Sequence, residues 1–284
     1  MKRILLLVMM MTLTFTCNVL AAEDISLPSV NWQKGPATAS IGDYAQLKFG
    51  ENYMFADGND TRRVLEAFHN IPSGDELGLI ATKDLDYFAV FTFDDVGYVK
   101  DDEKDSLDAD KILEQLKKGQ EEENQERAKK GYHTLQITGW EIPPRYNPTT
   151  HNLEWAIRIV NNEGGESINF RTKYLGRKGV MNVILVAEPK EFNQVLPKFN
   201  ELMQGFTFNQ GQKYSEFVKG DKVAKYGLAA LITGGLAAAA IKSGLFSGLL
   251  VGLAKLWKLL IVAVVAVGAA IKGFFAKLFG RKKQ

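Results

Sequence analysis

Cysteine is all but missing from this 284-residue chain: the single Cys17 falls inside an N-terminal stretch built like a secretory signal. Without that stretch no thiol remains, which excludes disulfides, cysteine nucleophiles and thiolate metal sites. Histidine is scarce as well. His69, His133 and His151 stand apart, with no partner at i+4 and no HExxH pattern, so no zinc site is expected. Neither a GxSxG elbow nor a P-loop occurs. Acidic residues stop at Asp221, whereas ten basic ones follow it, ending in Arg281, Lys282 and Lys283. Between residue 22 and Asp221 the balance reverses to 23 basic against 33 acidic side chains. Such a domain repels nucleic acid and anionic lipid, and the tail attracts them.

What is present divides the chain in three. Residues 1–21 read as a signal peptide, with Lys2 and Arg3 as the positive region, Ile4 to Thr16 as the apolar region, and Val19-Leu20-Ala21 before the cleavage point. The apolar run is short for an anchor. Thr14 and Thr16 stand where a lipidation signal needs an aliphatic and a small residue, so Cys17 is not expected to be lipidated. Residues 22–220 read as an extracytoplasmic globular domain, and residues 221–284 as a membrane anchor with helices over about 226–254 and 259–279. Ala240, Gly244, Gly248 and Gly252 recur every four residues, a helix-packing face that in lipid lets two copies approach closely. Lys255, Trp257 and Lys258 separate the two apolar stretches. They suit the cytoplasmic turn of a hairpin, with a single crossing plus a surface-lying helix over 272–283 as the other arrangement.

Within the domain, Ala45 to Phe49 alternates as a strand and can pair with Tyr53 to Phe55 across Gly50-Glu51-Asn52, while the stretch from Asp24 to Ala37 reads as loop. Asp60 can cap a short helix through Asn70 with Val64, Leu65 and Phe68 inward. Further strands are expected at Leu77 to Ala81, Tyr87 to Phe93, His133 to Trp140, Leu153 to Val160, Ser167 to Leu175 and Val180 to Ala187. Turns fall at Pro143-Pro144, Asn147-Pro148, Asn162 to Gly165 and Gly176 to Gly179. Asp108 caps a helix that stops at Gly119, and Glu121 to Lys130 continues as a charged helix without an apolar face. A last helix, from about Pro189 to Gln204, carries Phe192, Val195, Leu196, Phe199 and Leu202 on one face. The expected class is α+β, a mostly antiparallel sheet with two or three packed helices, followed by C-terminal transmembrane helices. Trp32, Trp140 and Trp155 are expected in the core.

The acidic cluster from Asp94 to Asp110 invites a calcium reading. A calcium loop counted from Asp101 would need glycine and glutamate where Ser106 and Ile112 stand, so neither metal nor cofactor is expected. The same carboxylates leave open a hydrolase or ligand-processing enzyme, and the cationic tail leaves open a lipid-handling protein.

Several blocks resemble a known family: Trp32-Gln33-Lys34-Gly35-Pro36, Gly97-Tyr98-Val99-Lys100-Asp101-Asp102, Asp108-Ala109-Asp110, Gly139-Trp140 with Pro143-Pro144 and Tyr146, Leu153-Glu154-Trp155-Ala156, Arg171 with Leu175 to Val180, and Gly220 to Gly227. They are similar to the signature blocks of a bacterial membrane-anchored family, the domain of unknown function 2167. The resemblance implies a periplasmic domain on inner-membrane helices and brings no catalytic residues. The candidate functional surface is therefore Tyr98, Lys100, Asp101, Asp102, Arg171 and Arg177, with Gly244, Gly248 and Gly252 as the helix-packing set. The expected partners are the lipid bilayer, a second copy of the chain and another envelope protein, and not nucleic acid.

Overall fold

The computed structural model describes residues 29–234. The chain divides after residue 235, and all described residues belong to the first unit. The fold is α+β with a mostly antiparallel sheet. Strands β1 (Gln33–Lys34), β4 (Tyr53–Asp57), β5 (Glu76–Thr82), β6 (Phe88–Asp94), β7 (Leu135–Asn147), β8 (Asn152–Asn161), β9 (Glu166–Leu175) and β10 (Val180–Ala187) form one eight-stranded sheet. Its order is β1-β4-β5-β6-β10-β9-β8-β7. Strands β2 (Ala37–Ile41), β3 (Ala45–Phe49) and β11 (Phe206–Phe208) form a second, three-stranded sheet.

The large sheet is buried on both faces. One face packs against the small sheet and helix α3 (Phe192–Met203), bringing Phe91, Phe170, Val183 and Leu185 together with Leu47 and Phe199. The opposite face carries two apolar clusters. Helix α1 (Gly58–Ala67) lays Val64 and Leu65 on Leu79, Val90 and Val186. Helix α2 (Ala109–Lys129) and the short α4 (Leu228–Thr233) lay Ile112, Leu116, Leu228 and Leu231 on Trp155, Ile157 and Ile159. Each fully buried large side chain in these layers contributes about 1.5–3 kcal/mol.

Several local expectations are corrected. Strands β3 and β4 do not pair: β3 joins β2 and β11, whereas β4 lies between β1 and β5. The reason is burial, since β3 hides alternate residues and β4 hides Met54, Phe55 and Ala56 in succession. Two strands, β1 and β2, arise where a loop is expected or go unforeseen; β2 is spelled by the small residues Ala37, Thr38, Ala39 and Ser40. Asp57, not Asp60, caps α1 by accepting the Asp60 N–H at 2.9 Å. Asp60 is buried instead, accepting from Asn31 N and Arg63 Nη1, both at 2.8 Å.

Gly119 does not stop α2, which runs through it for 21 residues. A helical glycine costs about 1 kcal/mol, and polar anchors in the C-terminal half offset it. The Asn124 side chain clamps Leu135 at both backbone groups, 2.8 Å each. Arg127, 1% exposed, donates to the His133 carbonyl at 2.6 Å and the His69 carbonyl at 3.3 Å. The charged half of α2 is thus mostly exposed, with Asn124 and Arg127 holding it to the domain. Pro143-Pro144 is not a turn either; both lie inside β7. Strand β7 is an edge, where a missing N–H breaks no ladder, and its register shifts three times along this stretch.

Residues 221–234, assigned from the sequence to the membrane segment, pack on the domain, and α4 ends where Gly234 turns left-handed at φ 88°. No helix among the described residues is long and apolar enough to cross a membrane. The signal peptide, the remainder of the expected helices over 226–254 and 259–279, and Gly244, Gly248 and Gly252 lie outside the described residues.

Candidate functional site

Two of the candidate segments meet. The loop from Gly97 to Asp102 follows β6, and the turn from Gly176 to Gly179 joins β9 to β10. Gly97 N donates to Lys178 O at 2.9 Å. The C-terminal stretch then runs beside Tyr98: Tyr98 N donates to Lys222 O at 2.8 Å and Ala224 N to Tyr98 O at 2.9 Å. Gly97 permits this approach. Its φ is 91°, and a Cβ there would sit 2.5 Å from the Lys222 carbonyl oxygen. Arg177 closes the arrangement by donating from Nε and Nη2 to the two Asp221 carboxylate oxygens at 2.7 and 2.9 Å. That fork, helped by the Val218 N–H, holds the Asp221 carboxyl down at about 2.

The joined segments carry an aromatic stack. The Tyr98 ring lies 4.4 Å from that of Tyr214 and 4.2 Å from that of Phe217. On the other side of Tyr214 the His151 ring sits at 4.4 Å. Tyr214 is buried, and its hydroxyl donates to Val99 O at 3.0 Å. Beside the stack, Tyr146 donates to Asp101 Oδ2 at 3.1 Å and meets His151 Nδ1 at 3.2 Å. Burial and the Asp101 charge push the Tyr146 phenol up, so it stays protonated and serves as a donor. His151 itself sits in the left-handed region at φ 50°, held by the β7–β8 hairpin. Phe217, Val218 and Val223 remain 36, 52 and 40% exposed, the large apolar side chains most open to solvent in the described residues.

Of the residues singled out from the sequence, Tyr98, Asp101 and Arg177 come together here, and Lys100 and Asp102 are exposed on the same loop. Arg171 does not join them. It lies on β9 with Lys173, beside Thr92, Asp94 and Asn182, in a cavity of about 50 Å³. Lys173 Nζ donates to Asn182 Oδ1 at 2.6 Å, and Asn182 Nδ2 donates to Thr92 Oγ1 at 3.1 Å. A polar row thus crosses β9, β10 and β6 inside an otherwise apolar face. Burial lowers Lys173 and brings Arg171 down to about 10. A larger polar groove, about 360 Å³, runs between α2 and β7 past Gln120, Asn124 and Gln136.

His151, Tyr214, Lys173 and Asp221 also belong to these sites, and no local motif singles them out. Spacing does not link Asp221 to Arg177, 44 residues away, or His151 to Tyr214. Lys173 does carry a signal, because Asn169, Arg171 and Lys173 alternate along β9. The acidic stretch from Asp101 to Asp110 spreads out as loop and helix start, with Asp108 capping α2 through Lys111 N at 3.1 Å. Among the described residues no three His, Asp or Glu side chains converge as metal ligands.

Comparison with known proteins places these features in one family. Solved structures similar at low level include the following two. The solution structure of cyanobacterial PsbP (CyanoP) from Synechocystis sp. PCC 6803 is 10% identical, with a TM-score of 0.39, covering 68% of this chain and 100% of that one. The Saccharomyces cerevisiae Ran-binding protein Mog1p is also 10% identical, with a TM-score of 0.33, covering 67% of this chain and all of its own. No curated protein sequence matches. The family model described as protein of unknown function (DUF2167) matches residues 33–268, and the chain belongs to that family.

Proposed function

We propose that this protein is a non-enzymatic interaction module of the bacterial envelope, exported to the periplasm and held at the inner membrane by the apolar segment beyond residue 235. The domain as a whole is acidic, but the face built by Phe217, Val218 and Val223 is flanked by lysines and lies against the bilayer surface, leaving the rest of the domain to meet another envelope protein. A glycine-faced helix through Gly244, Gly248 and Gly252 offers a route to pairing of two copies in the membrane.

The observation that carries this reading is the exposure of those three apolar side chains where the chain approaches its apolar tail. Lys219 and Lys225 are exposed among them, and Lys222, also exposed, donates its ammonium group to the Asp95 carbonyl at 2.6 Å. Apolar side chains flanked by lysines match a headgroup interface, where the apolar groups enter and the ammonium groups meet lipid phosphate. The Arg177–Asp221 fork and the Tyr98–Phe217 stack fix this face to the sheet, so it is presented already ordered.

A spin label at Val218→Cys tests it, in a Cys17→Ser background that leaves no other thiol. In full-length protein reconstituted in anionic vesicles the label should be accessible to oxygen and shielded from a water-soluble nickel relaxant. The reference is a label at exposed Lys190→Cys. Equal nickel access at both sites would reject the docking face, whereas release of the full-length protein by alkaline carbonate would reject the anchor.

A further inference from the structure

The polar groove between α2 and β7 carries hydrogen-bonding groups that the chain itself leaves unspent. Gln120 lines it at 2% exposure, and its Oε1 is buried with no hydrogen-bond partner. The Gln120 Nε2 reaches Asn124 Oδ1 at 3.4 Å. Gln136 and Asn162 line the same groove, are exposed, and bond through their side-chain amides to no other described residue. Lys117 and Glu121, the charged residues of the lining, are exposed and of opposite sign, so the groove is neutral. A carbonyl buried without a donor costs free energy, and an N–H or O–H arriving in the groove removes that cost.

The next turn of the same helix shows which donor suits it. Asn124 follows Gln120 by four residues and so lies on the same side of α2. Its side chain accepts from Leu135 N and donates to Leu135 O, 2.8 Å each. A side-chain amide holds a donor and an acceptor in one plane, as does a residue of extended backbone, and the two meet by a pair of bonds. Gln120 offers the same plane with its acceptor unused, and Gln136 and Asn162 offer two more. A sugar could bond to these amides, but it would also need an aromatic ring to stack its apolar face on. No aromatic side chain lines this groove. A simple ion finds no net charge there to oppose its own.

We propose that this groove binds an extended, uncharged peptide segment of a partner protein, held by its main chain through the side-chain amides of Gln120, Gln136 and Asn162. The inference rests on the interaction-module reading and gives its protein partner a chemistry. The lipid-facing surface plays no part in it, so the spin-label result and the peptide result can fail separately.

The test uses full-length protein in nanodiscs and a pool of short peptides of uncharged residues, acetylated and amidated at their ends. Peptides retained above empty nanodiscs are identified by mass spectrometry, and the best retained one is titrated. Gln120→Met should weaken it by about tenfold or more, while the urea midpoint of the domain holds or rises because the unpaired carbonyl is gone. A purely structural Gln120 would lower that midpoint instead. Gln136→Ala and Asn162→Ala, both at exposed positions, should each weaken binding severalfold with an unchanged circular dichroism spectrum, which keeps the test valid if Gln120→Met does not fold. Methylating alternate backbone nitrogens of the peptide should abolish binding. No retention above empty nanodiscs would overturn the proposal, as would a peptide that binds all three variants as tightly as the unaltered protein. Maltotriose binding as tightly as the peptide would also overturn it, and would mark a sugar groove.

Discussion

Arg177 and Asp221 are joined by two hydrogen bonds, 2.7 and 2.9 Å long, that tie the β9–β10 turn to the stretch leading out of the domain. The pair is electrostatic in origin and has a definite pH dependence. Asp221 falls from its ordinary 3.8 to about 2 in the folded chain. A carboxyl depressed on folding stabilises above its unfolded value, and that contribution is lost as pH falls through the folded one. Between pH 4 and pH 2 the fork should therefore open before the sheet melts. NMR of Tyr98 and Tyr214 should show the stack loosening in that window, and Asp221→Asn should show the loosened state already at neutral pH.

Arg127 is the polar rivet of α2. Replacing it by alanine removes the bonds to His69 O and His133 O and should cost about 3 kcal/mol in urea unfolding. Arg127→Lys should recover only part of this, because one ammonium cannot reproduce the planar fork that reaches both carbonyls.

Gly97 has no room for a side chain. Gly97→Ala puts a methyl group 2.5 Å from Lys222 O at φ 91° and should cost about 2 kcal/mol. Hydrogen exchange at Tyr98 and Ala224 should rise with it, since their amides bridge the same two segments.

Tyr146 separates a structural from a catalytic reading of the Asp101–Tyr146–His151 chain. Tyr146→Phe should cost about 1 kcal/mol, the worth of its hydrogen bonds, and leave the cellular phenotype intact. Asp101→Asn should do likewise. Loss of phenotype at wild-type protein level in either variant would make this chain catalytic.

How much of this was legible in the sequence depends on whether the signal is local. Strands β8 and β10 and the apolar face of α3 follow from residue pattern, and the domain's class follows from them. The pairing of β3 with β11 does not, because Leu47 and Phe206 are brought together across most of the chain. The polar row on β9 shows a subtler failure. Asn169, Arg171 and Lys173 alternate with Ile168, Phe170 and Thr172, which reads as one wet face and one dry face. Both faces are covered, because helices close over the polar side. Arg171 enters through the family-like blocks and lies within an expected strand, and neither fact places it in a cavity. Tyr98, Asp101 and Arg177 came from segment likeness, and what unites them, the return of residues 222–224 alongside Tyr98, is a tertiary contact.

The Asn124 clamp on Leu135 has a consequence for self-assembly. At the β7 border of the eight-stranded sheet, the backbone groups of Leu135 that would welcome a stranger are already engaged, and Pro143 and Pro144 further along have no N–H to donate. The opposite border, β1, is two residues long. Neither rim invites stacking of one molecule onto the next through main-chain pairing. At high concentration, neighbouring copies of this domain should stay separate unless something other than their backbones draws them together.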